Sequence, residues 1–179
     1  MEYPWYELVE ADQPLQQGDM IRSCPLVILP SSFHPENITS ENPVMECQIQ
    51  HFDIILMSHS CDLLHQKLDS VTVCPFWSLT DLGNRAEYFR RSGNKEELRK
   101  GRTVGYHLLN KCEITGYETD FLVVELKRVY GIPFEFLTQF AKNRGKRIRI
   151  LPPYREHLSQ AFARFFMRVG LPIDIPSFR

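Results

Sequence analysis

Phe52-Asp53-Ile54-Ile55-Leu56-Met57 is the stretch on which the fold turns. Four apolar residues in succession, two of them β-branched, are too few for an ordinary helix and read as a largely buried strand. Working outward, residues 58–67 read as a polar connection. Val71, Val73 and Trp77 then alternate with Thr72, Cys74 and Phe76, the period-two pattern of a second strand, and Pro75 marks its end or an exposed edge. On the N-terminal side, Gly18-Asp19 forms a turn into a strand over 20–29, with Pro25 at an edge or a bulge. A loop over 30–46, carrying Pro30, Pro35 and Pro43, joins it to the central strand.

Beyond the second strand, Ser78 with Asp81 matches a capping box and predicts a helix to about residue 91. Asn94 and Glu97 restart a short helix that Gly101 ends. Residues 103–109 and 121–130 read as two strands of a long hairpin. A helix over 135–143 carries Phe136, Leu137, Phe140 and Ala141 and stops at Gly145, before a short strand over 147–151. Pro152 and Pro153 open the clearest helix in the chain. Leu158, Ala161, Phe162, Phe165, Phe166 and Val169 follow helical spacing and predict its buried face, and Gly170 and Pro172 end it. The expected architecture is α+β in a single domain over 1–179. A sheet core spans about 18–130, with a helical insert at 79–101 and a C-terminal helical part over 131–179.

Composition agrees. With 179 residues, 43% hydrophobic and 24% charged, the chain suits one domain and is not a disordered one. No apolar run is long enough to span a membrane, and Met1-Glu2-Tyr3-Pro4-Trp5 lacks the features of a signal peptide. The expectation is therefore a cytoplasmic protein with reduced thiols and no membrane contact. Net charge is −1, but it hides a gradient: residues 1–70 carry −9 and residues 126–179 carry +8. Either the two ends attract each other within the fold, or the basic end meets nucleic acid or an acidic partner.

Three groups of residues carry candidate chemistry. Ser58-His59-Ser60-Cys61-Asp62 follows the buried strand. Cys61 is a nucleophile candidate if His59, His51 or His107 lowers its pKa. The competing reading is a turn whose Ser and Asp side chains bond nearby backbone while Cys61 packs inward. Cys24, Cys61 and Cys74 with a histidine would suit zinc, but their spacing matches no zinc motif, and no metal is expected. Second, Arg102, Tyr106 and His107 at a strand start, and Arg155 at the last helix's start, could meet a phosphate or a base. Third, Lys142, Arg144, Lys146, Arg147 and Arg149 form the densest basic run. On a strand, Arg147 and Arg149 share one face, as a phosphate-binding stripe or a solvated protective edge, while Ile148 and Ile150 point to the core. Walker A, GxGxxG, GxSxG and HExxH motifs are absent from the sequence, so no cofactor is expected.

Gly18-Asp19-Met20-Ile21, then Asp53-Ile54-Ile55-Leu56-Met57-Ser58, then Val71-Thr72-Val73-Cys74-Pro75 together resemble the MazF/PemK toxin family over residues 18–78. The resemblance implies a small SH3-like β-barrel, or a strongly bent antiparallel sheet, of a kind that cuts RNA. The family's catalytic arginine would fall at His51-Phe52 and its threonine near Phe76 or Trp77, so neither catalytic type is present here. Residues from Tyr154-Arg155-Glu156-His157-Leu158 onward are also similar to bacterial proteins that carry a Ser-Cys-Asp-Leu motif. The resulting expectation is a non-catalytic accessory or regulatory module of a bacterial toxin–antitoxin or defence system. It would act through a protein partner and, as a second arm, RNA or DNA. The alternatives are a MazF-like endoribonuclease and a thiol or zinc enzyme centred on Cys61.

Overall fold

The structure, a computed structural model, describes residues 3–30, 47–65 and 67–167. Most of the loop expected over 30–46, together with Val169, Gly170 and Pro172, lies outside the described residues. The described chain is α+β. Its strands are β1 (Tyr6–Val9), β2 (Asp19–Ile28), β3 (Gln48–Leu56), β4 (Ser70–Ser78), β5 (Tyr106–Leu109), β6 (Leu122–Glu125), β7 (Tyr130–Pro133) and β8 (Arg147–Ile150). Its helices are α1 (Ser60–Leu64), α2 (Leu79–Arg85), α3 (Ser92–Arg99), α4 (Phe134–Arg144) and α5 (Tyr154–Phe166).

The strands run in the order β1-β8-β2-β3-β4-β6-β5, with β7 also paired to β4. Every pairing is antiparallel. Among the described strands the sheet is not closed, because β1 and β5 stand at its two ends without pairing to each other. The expected barrel is thus an open sheet.

The central run is continuous in apolar residues because both faces are covered. Ile54 and Leu56 join Val71, Val73, Leu137 and Ala141 in a core under α4. Ile55 and Met57 join Cys74, Phe76, Ile148, Ile150 and Leu158 in a second core, against which Ala161, Phe162 and Phe165 of α5 pack. A third, smaller cluster of Leu82, Phe89, Leu98 and Val123 anchors the helical insert.

Several local expectations change. Residues 58–67 are not merely a polar connection: α1 forms there and buries Leu63. Pro75 is neither a strand end nor exposed. It is buried opposite Ile54, in mid-strand. On its other side β4 pairs with β7 through Val73 and with β6 from Phe76 onward, so Pro75 falls in the gap where β4 changes partner. A residue without an N–H costs nothing there. The hairpin strand expected over 121–130 is divided, with β6 pairing β5 and β7 pairing β4. Ser78 caps α2 as expected, accepting the Asp81 N–H at 2.9 Å. In α5 only Leu158 is fully buried; Ala161, Phe162 and Phe165 pack partly buried against the second core, and Phe166 is 59% exposed.

Candidate functional site

The Ser58–Asp62 motif is built into the fold through its side-chain oxygens. Ser58 Oγ accepts the Thr72 N–H at 2.9 Å, tying the exit of β3 to β4. Ser60 Oγ accepts the Gln17 N–H at 3.1 Å, and Gln17 donates through Nε2 to the Met57 carbonyl at 2.8 Å. The serines thus bond backbone that is distant in sequence, not the nearby groups expected. His59 is the N-cap of α1, its Nδ1 accepting the Cys61 N–H at 3.4 Å. The Asp62 N–H closes the same turn onto the His59 carbonyl. Cys61 is exposed and does not pack inward, because α1 turns Leu63 toward the core and Cys61 away from it.

The other thiols are placed for packing. Cys24 and Cys74 are buried, and burial pushes them up to about 11 and about 12. Burial also raises the Cys112 thiol. Among the described residues no group of three or more His, Cys, Asp or Glu side chains could hold a metal ion.

The basic run divides in two. Arg147 and Arg149 do share a face of β8, opposite Ile148 and Ile150, but that face is neither a stripe for a ligand nor a solvated edge. β8 lies between β1 and β2, and both arginines are buried. They converge on Asp19, which is completely buried. Arg147 Nε donates to Asp19 Oδ2 at 2.7 Å, and Arg149 Nε donates to Asp19 Oδ1. Their remaining N–H groups reach the carbonyls of Glu10, Gln13 and Pro14, and Arg149 also meets the Glu7 carboxylate at 3.5 Å. This knot holds the 10–17 loop over the sheet. Its centre, Asp19, is residue-by-residue invisible in the sequence, where it signals only a turn.

Lys146 pairs with Glu10 at 2.7 Å on the surface. Arg144 donates twice to the Arg22 carbonyl at 3.3 Å and lies over the Phe140 ring. Lys142 occupies the last turn of α4. Arg22, Arg144 and Lys146 line a cleft of about 270 Å³ with Phe76 and Tyr117 and no carboxylate. Arg22 and Phe76 also line a neighbouring hollow with the opposite character, containing Asp53, Asp81, Glu118 and Asp120. Arg22 binds Asp53 at 2.8 Å at that boundary, beside Ser23, whose φ of 53° marks the bulge in β2.

The third group separates. Arg102 pairs with Glu97 at 3.5 Å, and Arg155 pairs with Glu156 at 2.8 Å. Tyr106 packs its ring against Phe89 and under the Lys127 ammonium. His107 is pushed down to about 4, first by burial and then by His157. Tyr106 and His107 share a large hollow with His157 and Arg164 of α5, a grouping that becomes visible only in three dimensions. No helix among the described residues is long and apolar enough to cross a membrane. No protein-family model matches the chain, and neither does a curated protein or a solved structure.

Proposed function

We propose that the chain is a non-catalytic accessory or regulatory module that works by holding a protein partner, in the cytoplasmic setting of a bacterial toxin–antitoxin or defence system. The setting rests on the early-strand resemblance. The mode of action rests on one observation: among the described residues one arm of the sheet exposes apolar side chains along edges that no other strand covers.

That arm consists of residues 24–28 of β2 and 48–52 of β3. Among the described residues β8 reaches only Asp19 and Met20 of β2, and β4 reaches only Ile54, Ile55 and Leu56 of β3. Among the described residues the arm therefore offers unpaired backbone groups along its edges, a template for an added strand. Val27 faces Ile49 across it, at 65% and 63% exposure, and Leu29 follows at 58%. Beside it runs a groove of about 300 Å³ between Pro25, Leu26 and Val27 and the β7 residues Tyr130, Gly131, Ile132 and Pro133, closed by Phe136. Strand addition with apolar side chains in such a groove is a recurrent mode of peptide recognition. The partner chemistry that fits is an extended segment of alternating apolar residues.

The test is affinity capture from the native host with wild type and with a Val27→Lys, Ile49→Lys variant. Both positions are exposed, so the melting temperature should hold. A partner retained by wild type and lost by the variant supports the reading, and an identical set of captured proteins overturns it.

A second reading, RNA or DNA binding, is favoured by the carboxylate-free cleft at Arg22, Arg144 and Lys146. Binding there should weaken as salt rises, and Arg144→Gln should reduce the salt slope by about one for the lost phosphate contact. No affinity at low salt removes this reading.

A further inference from the structure

The helical insert and α5 face each other across a hollow of about 800 Å³, on a part of the molecule separate from the open arm. One wall is the end of α3 and the loop after it, with Arg99, Lys100 and Gly101; the other is α5, with His157, Gln160 and Arg164. His107 stands between them, over an apolar floor that includes Leu126 and Ala161. Three cations and two imidazoles line the hollow, and no carboxylate does. Glu96 engages Arg99 at 2.7 Å and Lys100 at 3.3 Å, so the three cations exceed their one carboxylate partner by two charges. Among the described residues Arg164 meets only a neutral group, the Gln160 side chain at 3.4 Å. The loop can bend back to form the wall because Gly101 and Gly105 adopt φ of +68° and +79°, a region open to glycine. The Gly101 side of that wall is open space to 4 Å.

Cations on opposing walls with nothing negative between them favour a group carrying more than one charge and several acceptor oxygens, the description of a phosphate. The volume lies within the range of small-molecule sites, roughly 300–1,000 Å³. His107, held neutral at pH 7 by its burial, adds a hydrogen-bonding group beside the apolar floor without adding charge.

We propose that this hollow binds a small phosphate-bearing organic molecule, its phosphate between Lys100 and Arg164 and its organic part toward His107 and the floor. The site is independent of the partner surface, so each can fail without the other.

Isothermal titration of the full chain at low ionic strength, with ATP and separately with inorganic pyrophosphate, tests it. Expected are one-to-one binding of ATP, weaker binding of pyrophosphate through the same residues, and a loss of at least about tenfold, or 1.4 kcal/mol, in a Lys100→Gln, Arg164→Gln variant whose melting temperature is unchanged. Arg144→Gln, in the other basic cleft, should leave both affinities as they are. No heat with either probe, equal affinity in the double variant, or weakening by Arg144→Gln instead would overturn the proposal.

Discussion

At the scale of single residues, Asp19 carries more of the structure than any motif read from the sequence. It is fully buried beneath two buried arginines, and its carboxylate also accepts the Gln16 N–H at 3.1 Å. Removing one member of a buried ionic cluster leaves charge uncompensated in a medium that solvates it poorly, so Asp19→Ala should cost about 3–5 kcal/mol. Urea unfolding measures this, with Lys146→Gln, which breaks only an exposed pair, as the control expected to leave stability nearly unchanged. His107 makes a different prediction. Its folded pKa of about 4 lies below the ordinary 6.5, so protons bind the unfolded chain more readily. Its stabilising effect is complete above pH 6.5 and is lost as pH falls toward 4, with a slope of at most about 1.4 kcal/mol per pH unit. His107→Gln should flatten stability in that window, and an unchanged profile would show that burial does not disfavour its charged form. The thiols sort by depth. A maleimide should label Cys47 and Cys61 in the native protein and reach Cys24, Cys74 and Cys112 only on unfolding.

At the scale of elements, α5 shows what periodicity reveals and what it leaves open. Its helical spacing is plain in the sequence, and α5 forms where that spacing places it. How deeply each of its apolar residues is covered depends on how the helix seats on the second core, and no local pattern records that. Leu158→Ala should therefore cost about 2–5 kcal/mol, whereas Phe166→Ala should change stability by no more than about 0.5 kcal/mol. A thermal or urea series on the two variants checks the contrast, and equal losses would mean that Phe166 is covered in solution. Pro75 teaches the same lesson in a strand. The local rule sends proline to an end or an edge, and the rule's physical content survives, because the missing N–H coincides with an interval between two partner strands. Ser58, Ser60 and His59 look chemical in one dimension. Their partners, Thr72, Gln17 and the first turn of α1, depend in part on how β3 sits against β4 and β2, and so could not be read locally.

At the scale of the whole molecule, the charge gradient was legible but its destination was not. The acidic beginning and basic end of the chain meet because β8 enters the sheet between β1 and β2. The pairs it makes there range from the exposed Lys146–Glu10 to the buried cluster on Asp19. Salt screens the first kind and hardly touches the second. An Arg147→Gln, Arg149→Gln variant should thus be destabilised to a similar degree at low and high salt, and recovery at high salt would mean that water reaches the cluster. The position of β8 also orders events on the ribosome. β1 and β2 emerge early yet have no shared ladder of their own, and the strand that bridges them follows 128 residues after Asp19. At roughly 5–20 residues per second, Asp19 waits on the order of ten seconds for the arginines that neutralise it. Among the described strands β8 is the last to be made, so the Asp19 cluster can form only after the other seven strands exist, and the seam between β1 and β2 is a late contact of folding.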